Sequence, residues 1–313
     1  MRIFYATDVH GSDRCFRKFL NAGPHYRADL LILGGDITGK AIVPFRRLPD
    51  GNYQVRYIGE ELVVGEVEAG ELAERVSNVG YYPYWCDAEE AAEIAQNPEK
   101  QYALFETLIS ERVAQWLKLA KERLASIEMR CIINAGNDDP LAIDEVFGAQ
   151  EYVEFAEGRV IQLPNGMELA SCGYANETPW QCPRDRPETD LEQRYRRVAG
   201  QVERPSQAIF NFHCPPYNTG IDSGPKLDAD MRLTSGPGGI EMQPVGSTAC
   251  REVITEYEPL IGLHGHLHES KGTYNLGRTL CVNPGSEYSE GILRGAIIDV
   301  DKGKVKNYIL TTG

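Results

Sequence analysis

The chain has 313 residues, 42% of them hydrophobic, and its 32 basic against 46 acidic residues leave a formal charge of −14. That length suits one large α/β domain with insertions or two domains, with apolar residues enough for a sizeable core. The acidic balance repels a nucleic-acid backbone and counts against a nuclease.

Taken in chain order, Arg2–Thr7 is the first predicted strand. Asp13–Ala22 follows as a helix with Phe16, Phe19 and Leu20 on one face, ended by Gly23-Pro24. Leu30–Leu33 is a short, wholly apolar strand. Residues 40–97 interrupt the alternation as an insertion. They hold a predicted hairpin (Tyr53–Ile58, turn Gly59-Glu60, Glu61–Val64) and two acidic segments around Tyr81-Tyr82-Pro83-Tyr84-Trp85. Those aromatics read better as packed on one another than as a stacking platform for a nucleobase. Pro98–Ser126 is the longest predicted helix. Tyr102, Phe105, Leu108, Ile109, Val113, Trp116, Leu117, Ala120 and Leu124 recur through it every three or four residues, a core-facing stripe.

Further strands are expected at Cys131–Asn134, Glu168–Cys172, Ala208–Phe212, Leu260–Leu263 and Leu280–Val282, with a charged helix over Glu188–Val202. Residues 215–246, rich in Gly and Pro, read as a long loop insertion. Ala296–Val300 and Val305–Leu310 form a hairpin across Asp301-Lys302-Gly303. Short, fully apolar strands suit sheets covered on both faces. No run approaches the length of a membrane span, and MRIFYATD lacks the apolar core of a signal peptide. The eight cysteines form no CxxC pair, and Cys131, Cys172 and Cys281 lie in apolar strands; a reduced, cytoplasmic protein is expected.

The strands end in metal-capable groups. Arg2–Thr7 runs into Asp8-Val9-His10, two side chains that point the same way from an extended chain, with Gly11 allowing a sharp turn. Leu30–Leu33 runs into Gly34-Gly35-Asp36, and Cys131–Ile133 into Asn134-Ala135-Gly136-Asn137-Asp138-Asp139. Ala208–Phe212 is followed by His213, and Leu260–Leu263 by His264-Gly265-His266-Leu267-His268. In a parallel sheet the C-terminal strand ends form the ligand crevice. Five of the six histidines sit in these blocks; the sixth, His25, reads as a surface residue.

In order and residue type, Asp8-Val9-His10, Gly35-Asp36, Gly136-Asn137-Asp138-Asp139, His213 and Gly265-His266-Leu267-His268 resemble the motif series of the calcineurin-like metallophosphoesterases: DxH, GD, GNx(D/E), a lone H, and GHxH. Val282-Asn283-Pro284-Gly285-Ser286 is similar to a strand-turn element of that family. The resemblance implies one α/β domain over 1–313: a four-layer sandwich of two mixed β-sheets flanked by helices. It does not cover 40–97 or 215–246, and these insertions are expected to cap the site. It implies a first metal on Asp8, His10 and His268, a second on Asn137, His213 and His266, and Asp36 bridging both. A hydroxide between the metals would attack a phosphoester. Imidazole, carboxylate and amide donors without thiolate suit Mn, Fe or Zn.

Asp139 reads as a residue behind the ligands, holding Asn137 or a ligand histidine. Asp138 stands where phosphatases of the family carry the histidine that helps the leaving group depart, and an aspartate is a weak proton donor near neutral pH. Asp138 and His264 are therefore the two candidates for catalytic proton transfer, His264 being equally readable as a phosphate contact or a structural hydrogen-bond partner. Lys40 can reach a phosphate but reads better as solvated. The expected function is hydrolysis of a small phosphoester such as a nucleotide-like one, a diester ahead of a monoester. The alternative is a metal-retaining binding or scaffold protein of the same fold. Nucleic acid is not an expected partner, since the one basic cluster, Arg194-Tyr195-Arg196-Arg197, reads as a solvated helix face.

Overall fold

The structure, a computed structural model, describes residues 1–228, 230–236 and 238–313. Two six-stranded mixed sheets face one another. The first runs, edge to edge, through Lys304–Thr312, Arg294–Asp301, Arg2–Ala6, Leu30–Leu33, Arg130–Ile133 and Glu154–Phe155. Its last four strands are parallel, and the C-terminal hairpin joins Arg2–Ala6 antiparallel. The second runs through Gly272–Leu276, Thr279–Asn283, Ile261–Leu263, Ile209–Phe212, Glu168–Cys172 and Val160–Gln162, with four parallel strands inside two antiparallel edges.

Alternate side chains explain the four layers. Ile3, Tyr5, Leu30, Ile32 and Ile132 meet Leu169, Ile209, Ile261, Leu263 and Val282 between the sheets. The opposite faces carry the helices. Phe4, Ala6, Leu31 and Cys131 pack under helices Asp13–Tyr26 and Pro98–Leu124, where Phe16 stacks on Trp116. Ala170, Phe210, Phe212 and Cys281 pack under helices Glu188–Ala199 and Thr248–Tyr257. Strands apolar on both sides are what a doubly covered sheet requires, and the expected sandwich is the observed one.

Local readings needed correction. The first helix does not stop at Gly23-Pro24 but runs to Tyr26, where Arg27 in the left-handed region caps it. Pro24 is exposed and in the last turn, so its missing N–H removes little. Asn97 starts the long helix by accepting from the amides of Glu99 and Lys100, but Tyr102, counted in its core stripe, is exposed. The hairpin in the first insertion turns one residue earlier than expected: Ile58 and Gly59 both take positive φ, as a two-residue turn between right-twisted strands demands.

That insertion builds its own four-stranded sheet. Ile42–Arg47 pairs in parallel with Tyr82–Cys86 through the crossover helix Glu66–Asn78, over a small core of Val43, Phe45, Val55, Leu72 and Val76. The cluster's aromatics divide: Tyr82 is buried, while Trp85 packs against Phe45 and Tyr53. Residues 215–246 are not one long loop. Ser223–Pro225 pairs with Met242–Pro244, and Ser235–Gly236 with Gly239–Ile240. Among the described residues no helix is long and apolar enough to cross a membrane.

Candidate metal centre

The donors stand on loops that leave the C-terminal ends of parallel strands in both sheets, and the loops are laced together. The amides of Asp8 and His10 donate to the carbonyls of Gly35 and Asp36, and the amide of Gly265 donates to the carbonyl of His213. The amide of His266 donates to Asp8 Oδ1 at 2.9 Å, and that of Asp138 to Asp36 Oδ1 at 2.9 Å. Asp8, His10, Asp36 and His266 all hold positive φ, a costly conformation for residues with a Cβ and one that clusters at functional sites. Gly136 is obligatory: a Cβ there would lie 2.1 Å from Asp36 Oδ1.

Two groups of potential ligand atoms converge: Asp8, His10 and His268, and Asp36, His213 and His266. A third combines His10 and Asp36 with Asp138. His10 Nε2 lies 3.0 Å from His268 Nε2, and His268 Nε2 lies 3.5 Å from Asp8 Oδ1. His213 Nε2 is 3.3 Å from Asp36 Oδ1 and 3.8 Å from Asp8 Oδ1, so the groups adjoin. Asn137 joins the second group, its Oδ1 2.8 Å from His266 Nδ1. Every residue expected to ligate is thus drawn into one cluster.

The donor set fits divalent cations. Asp8 Oδ2, His10 Nδ1 and both ring nitrogens of His213 are buried without a hydrogen-bond partner, a costly state that a cation would relieve at Asp8 Oδ2 and at one nitrogen of His213. Burial opposes ionisation of Asp8 and Asp36, yet the neighbouring imidazoles outweigh it and hold both carboxyls below the usual range. Burial lowers His10 to about 4, leaving a neutral imidazole. His213 goes the other way, raised to about 9 because Asp36 and Asp8 outweigh its burial.

The surroundings orient this cluster. Asp139 is buried and accepts from the amides of Ile37, Thr38 and Gly136 and from the Thr38 hydroxyl, so it ties the Asp36 loop to the Asn137 loop. It does not bond Asn137 or a histidine directly. Asn137 is held instead by Asp185, whose Oδ1 accepts from Nδ2 at 2.9 Å. The sequence reading missed Asp185, which sits far along the chain in no motif. Asn283 donates to the carbonyls of Gly265 and Leu267, and the Ser286 hydroxyl to the carbonyl of Asp8. Buried Arg184 donates to the carbonyls of Asp139 and Pro140 and to Asp144.

Two expectations change. Lys40 is not simply solvated; its ammonium is 2.8 Å from Asp138 Oδ2. His264 is not a phosphate contact: its ring is buried, Nδ1 lies 2.7 Å from the Phe212 carbonyl oxygen, and Nε2 is turned back toward the Cα of Gly262. Of its two readings the structural hydrogen-bond partner stands, because a ring folded along its own strand cannot reach the crevice. Asp138 is at the cluster, 3.7 Å from His10 Nδ1, and accepts from Cys182 Sγ at 2.8 Å.

No family profile matches the chain. The uncharacterized protein MJ1162 of Methanocaldococcus jannaschii is 27% identical over 168 residues, 52% of this chain and 68% of that protein. The structure of an archaeal phosphodiesterase aligns over 100% of this chain and 99% of its own, with a TM-score of 0.37 and 10% identity. That of TT1561 from Thermus thermophilus aligns over 100% of this chain and 97% of its own, with a TM-score of 0.55 and 16% identity. With two facing mixed sheets and Asp/His groups gathered at their parallel strand ends, the chain has the fold of the calcineurin-like metallophosphoesterases.

Proposed function

We propose that the chain is a metal-dependent hydrolase of phosphoester bonds, acting on a small phosphodiester and holding two divalent cations (Mn, Fe or Zn). The carrying observation is the pair of adjoining groups, Asp8–His10–His268 and Asp36–His213–His266, with buried polar atoms that no protein group satisfies. In this reading Asn137 would complete the second group and Asp36 would serve both ions. Bound cations of this kind supply a water deprotonated near neutral pH and offset the charge of the phosphoryl oxygens.

The chain's own residues supply position. Asp185 takes one amide hydrogen of Asn137 and leaves its Oδ1 facing His266. Asp139 fixes the spacing of the Asp36 and Asn137 loops. Asp138 already accepts from Lys40 and Cys182, so it serves as an acceptor and not as the acid for a leaving group. The favoured substrate is then one whose leaving oxygen departs without a proton, such as an aryl ester or a phosphoanhydride. Residues 40–97 pack on the His10 and Gly39 loops, where Ser12 Oγ donates to the Asn78 carbonyl and the Gly39 amide to the Tyr82 hydroxyl. Residues 215–246 pack on the His268 loop, where Ser270 Oγ donates to the Ser223 carbonyl. Both are read as cap elements. All eight thiols are free, in keeping with a reduced, cytoplasmic setting.

The second reading, a metal-retaining binding protein, draws on the same aspartate at position 138. Metal content together with hydrolysis of bis(p-nitrophenyl) phosphate separates the two. The enzyme reading expects turnover by manganese-loaded protein and its loss in Asp36→Ala. Bound metal without turnover of this activated diester favours the binding protein, and no retained divalent ion under any loading removes both.

A further inference from the structure

Lys40 has no task in that reading, yet it is placed with care. Gly39, just before it, has no room for a side chain, since a Cβ would lie 2.0 Å from the Gly80 carbonyl oxygen. The Gly39 amide is held by the buried Tyr82 hydroxyl at 2.7 Å. The insertion therefore pins the backbone from which Lys40 projects. The carboxylate that Lys40 meets is pinned as well: Asp138 accepts from Cys182 Sγ, and its amide bonds Asp36, the residue between the two donor groups. Asp138 Oδ2, 2.8 Å from the ammonium, is 3.7 Å from His10 Nδ1. The ion pair thus stands at the edge of the donor cluster, beside the Tyr288 ring that packs 4.6 Å from the ring of His10.

The pair is also reachable, with Lys40 45% and Asp138 21% exposed. Among the described residues, Lys40 is the one lysine or arginine whose ion pair falls on a residue of the cluster. An ammonium has three N–H donors, and Asp138 occupies one direction only. A phosphoryl oxygen arriving at the cluster can take another. Lys40 and Asp138 together are neutral, so the pair offers a donor without a net positive charge. A second negative charge on the substrate would face the carboxylate.

We propose that Lys40, steered by Asp138, binds a non-bridging oxygen of the substrate's phosphoryl group, and that the Asp138 charge beside it favours a singly charged phosphodiester over a doubly charged monoester. This rests on the function proposed above. The test is calorimetric titration of inorganic phosphate into manganese-loaded wild type, K40M, K40R and D138N, with metal content measured on each sample. Hydrolysis of bis(p-nitrophenyl) phosphate and p-nitrophenyl phosphate is compared alongside.

A charge-assisted hydrogen bond to phosphate predicts that K40M weakens phosphate binding about tenfold or more with metal content unchanged, and that K40R restores most of it. The same loss is expected when K40M is added to D138N, where no bare carboxylate remains to repel the anion. D138N shifts the ratio of kcat/KM toward the monoester by about tenfold. Phosphate affinity in K40M within about twofold of wild type overturns the contact, because a merely structural ion pair would leave it there. An unchanged substrate ratio in D138N overturns the charge selection. A wild type that retains no manganese overturns the proposed function first, before any variant is compared, and this inference with it.

Discussion

The Nε2 atoms of His10 and His268 stand 3.0 Å apart although the residues are 258 positions apart in the chain. Two imidazole nitrogens at that spacing share one proton or direct both lone pairs at a common cation, and Asp8 beside them makes the second arrangement the fitting one. If the proposed two-ion centre holds, His268→Ala is expected to remove one ion and leave the other. Elemental analysis of dialysed protein measures this; an unchanged metal-to-protein ratio would show that the pair is an ordinary hydrogen bond.

Gly136→Ala tests whether Asp36 has to be where it is. The new Cβ would press on Asp36 Oδ1 and on the Asp36 amide, at 2.1 and 2.2 Å. Displacing Asp36 is expected to cost about 100-fold or more in metal affinity. Gly70→Ala is the control, since a Cβ there meets open space on the helix Glu66–Asn78, and that change should stabilise the protein by up to about 1 kcal/mol. Equal metal affinity in both variants would contradict the assignment.

Asp138→His restores a proton donor at the cluster. Rates on esters with poor leaving groups should rise by about 100-fold, while those on aryl esters change little. A series of esters graded by leaving-group basicity reads this directly: the wild type should fall steeply along it and the variant should not. A wild type insensitive to the leaving group, with chemistry rate-limiting, would place the proton source elsewhere.

Away from the cluster, burial pushes the Glu157 carboxyl up to about 7 despite the nearby Arg184 guanidinium and the Gly173 amide that donates to it at 2.6 Å. The folded protein holds this proton more tightly than the unfolded chain. The resulting stabilisation is complete below the ordinary glutamate range and is lost as the pH rises through about 7. Glu157→Gln should flatten the decline in stability over that interval. Urea unfolding of metal-free protein at graded pH checks it, and identical slopes in variant and wild type would count against the assignment.

Much of the site was legible because each block is local. An apolar strand followed at once by Asp8 and His10, by Asp36, by Asn137, by His213 or by His266 and His268 needs only neighbours in sequence to be recognised. The supporting pairs were not legible. Asp185 with Asn137 and Cys182 with Asp138 join residues 48 and 44 positions apart, and no spacing rule links them. The first insertion hid its parallel pairing for the same reason: Ile42–Arg47 and Tyr82–Cys86 meet only after a helix has crossed between them.

The sequence by itself determined that short strands apolar on both sides would be covered on both faces, and that a carboxylate, amide or imidazole would stand at the end of five of them. Those properties follow from residue type and period. Only the tertiary structure decided that His264 turns back onto the Phe212 carbonyl while His266 and His268 turn outward, and that Lys40, still exposed, meets Asp138. Side-chain direction at a strand end depends on which distant backbone groups need a partner and which space is already filled, and the chain settles both only when its two sheets close on each other.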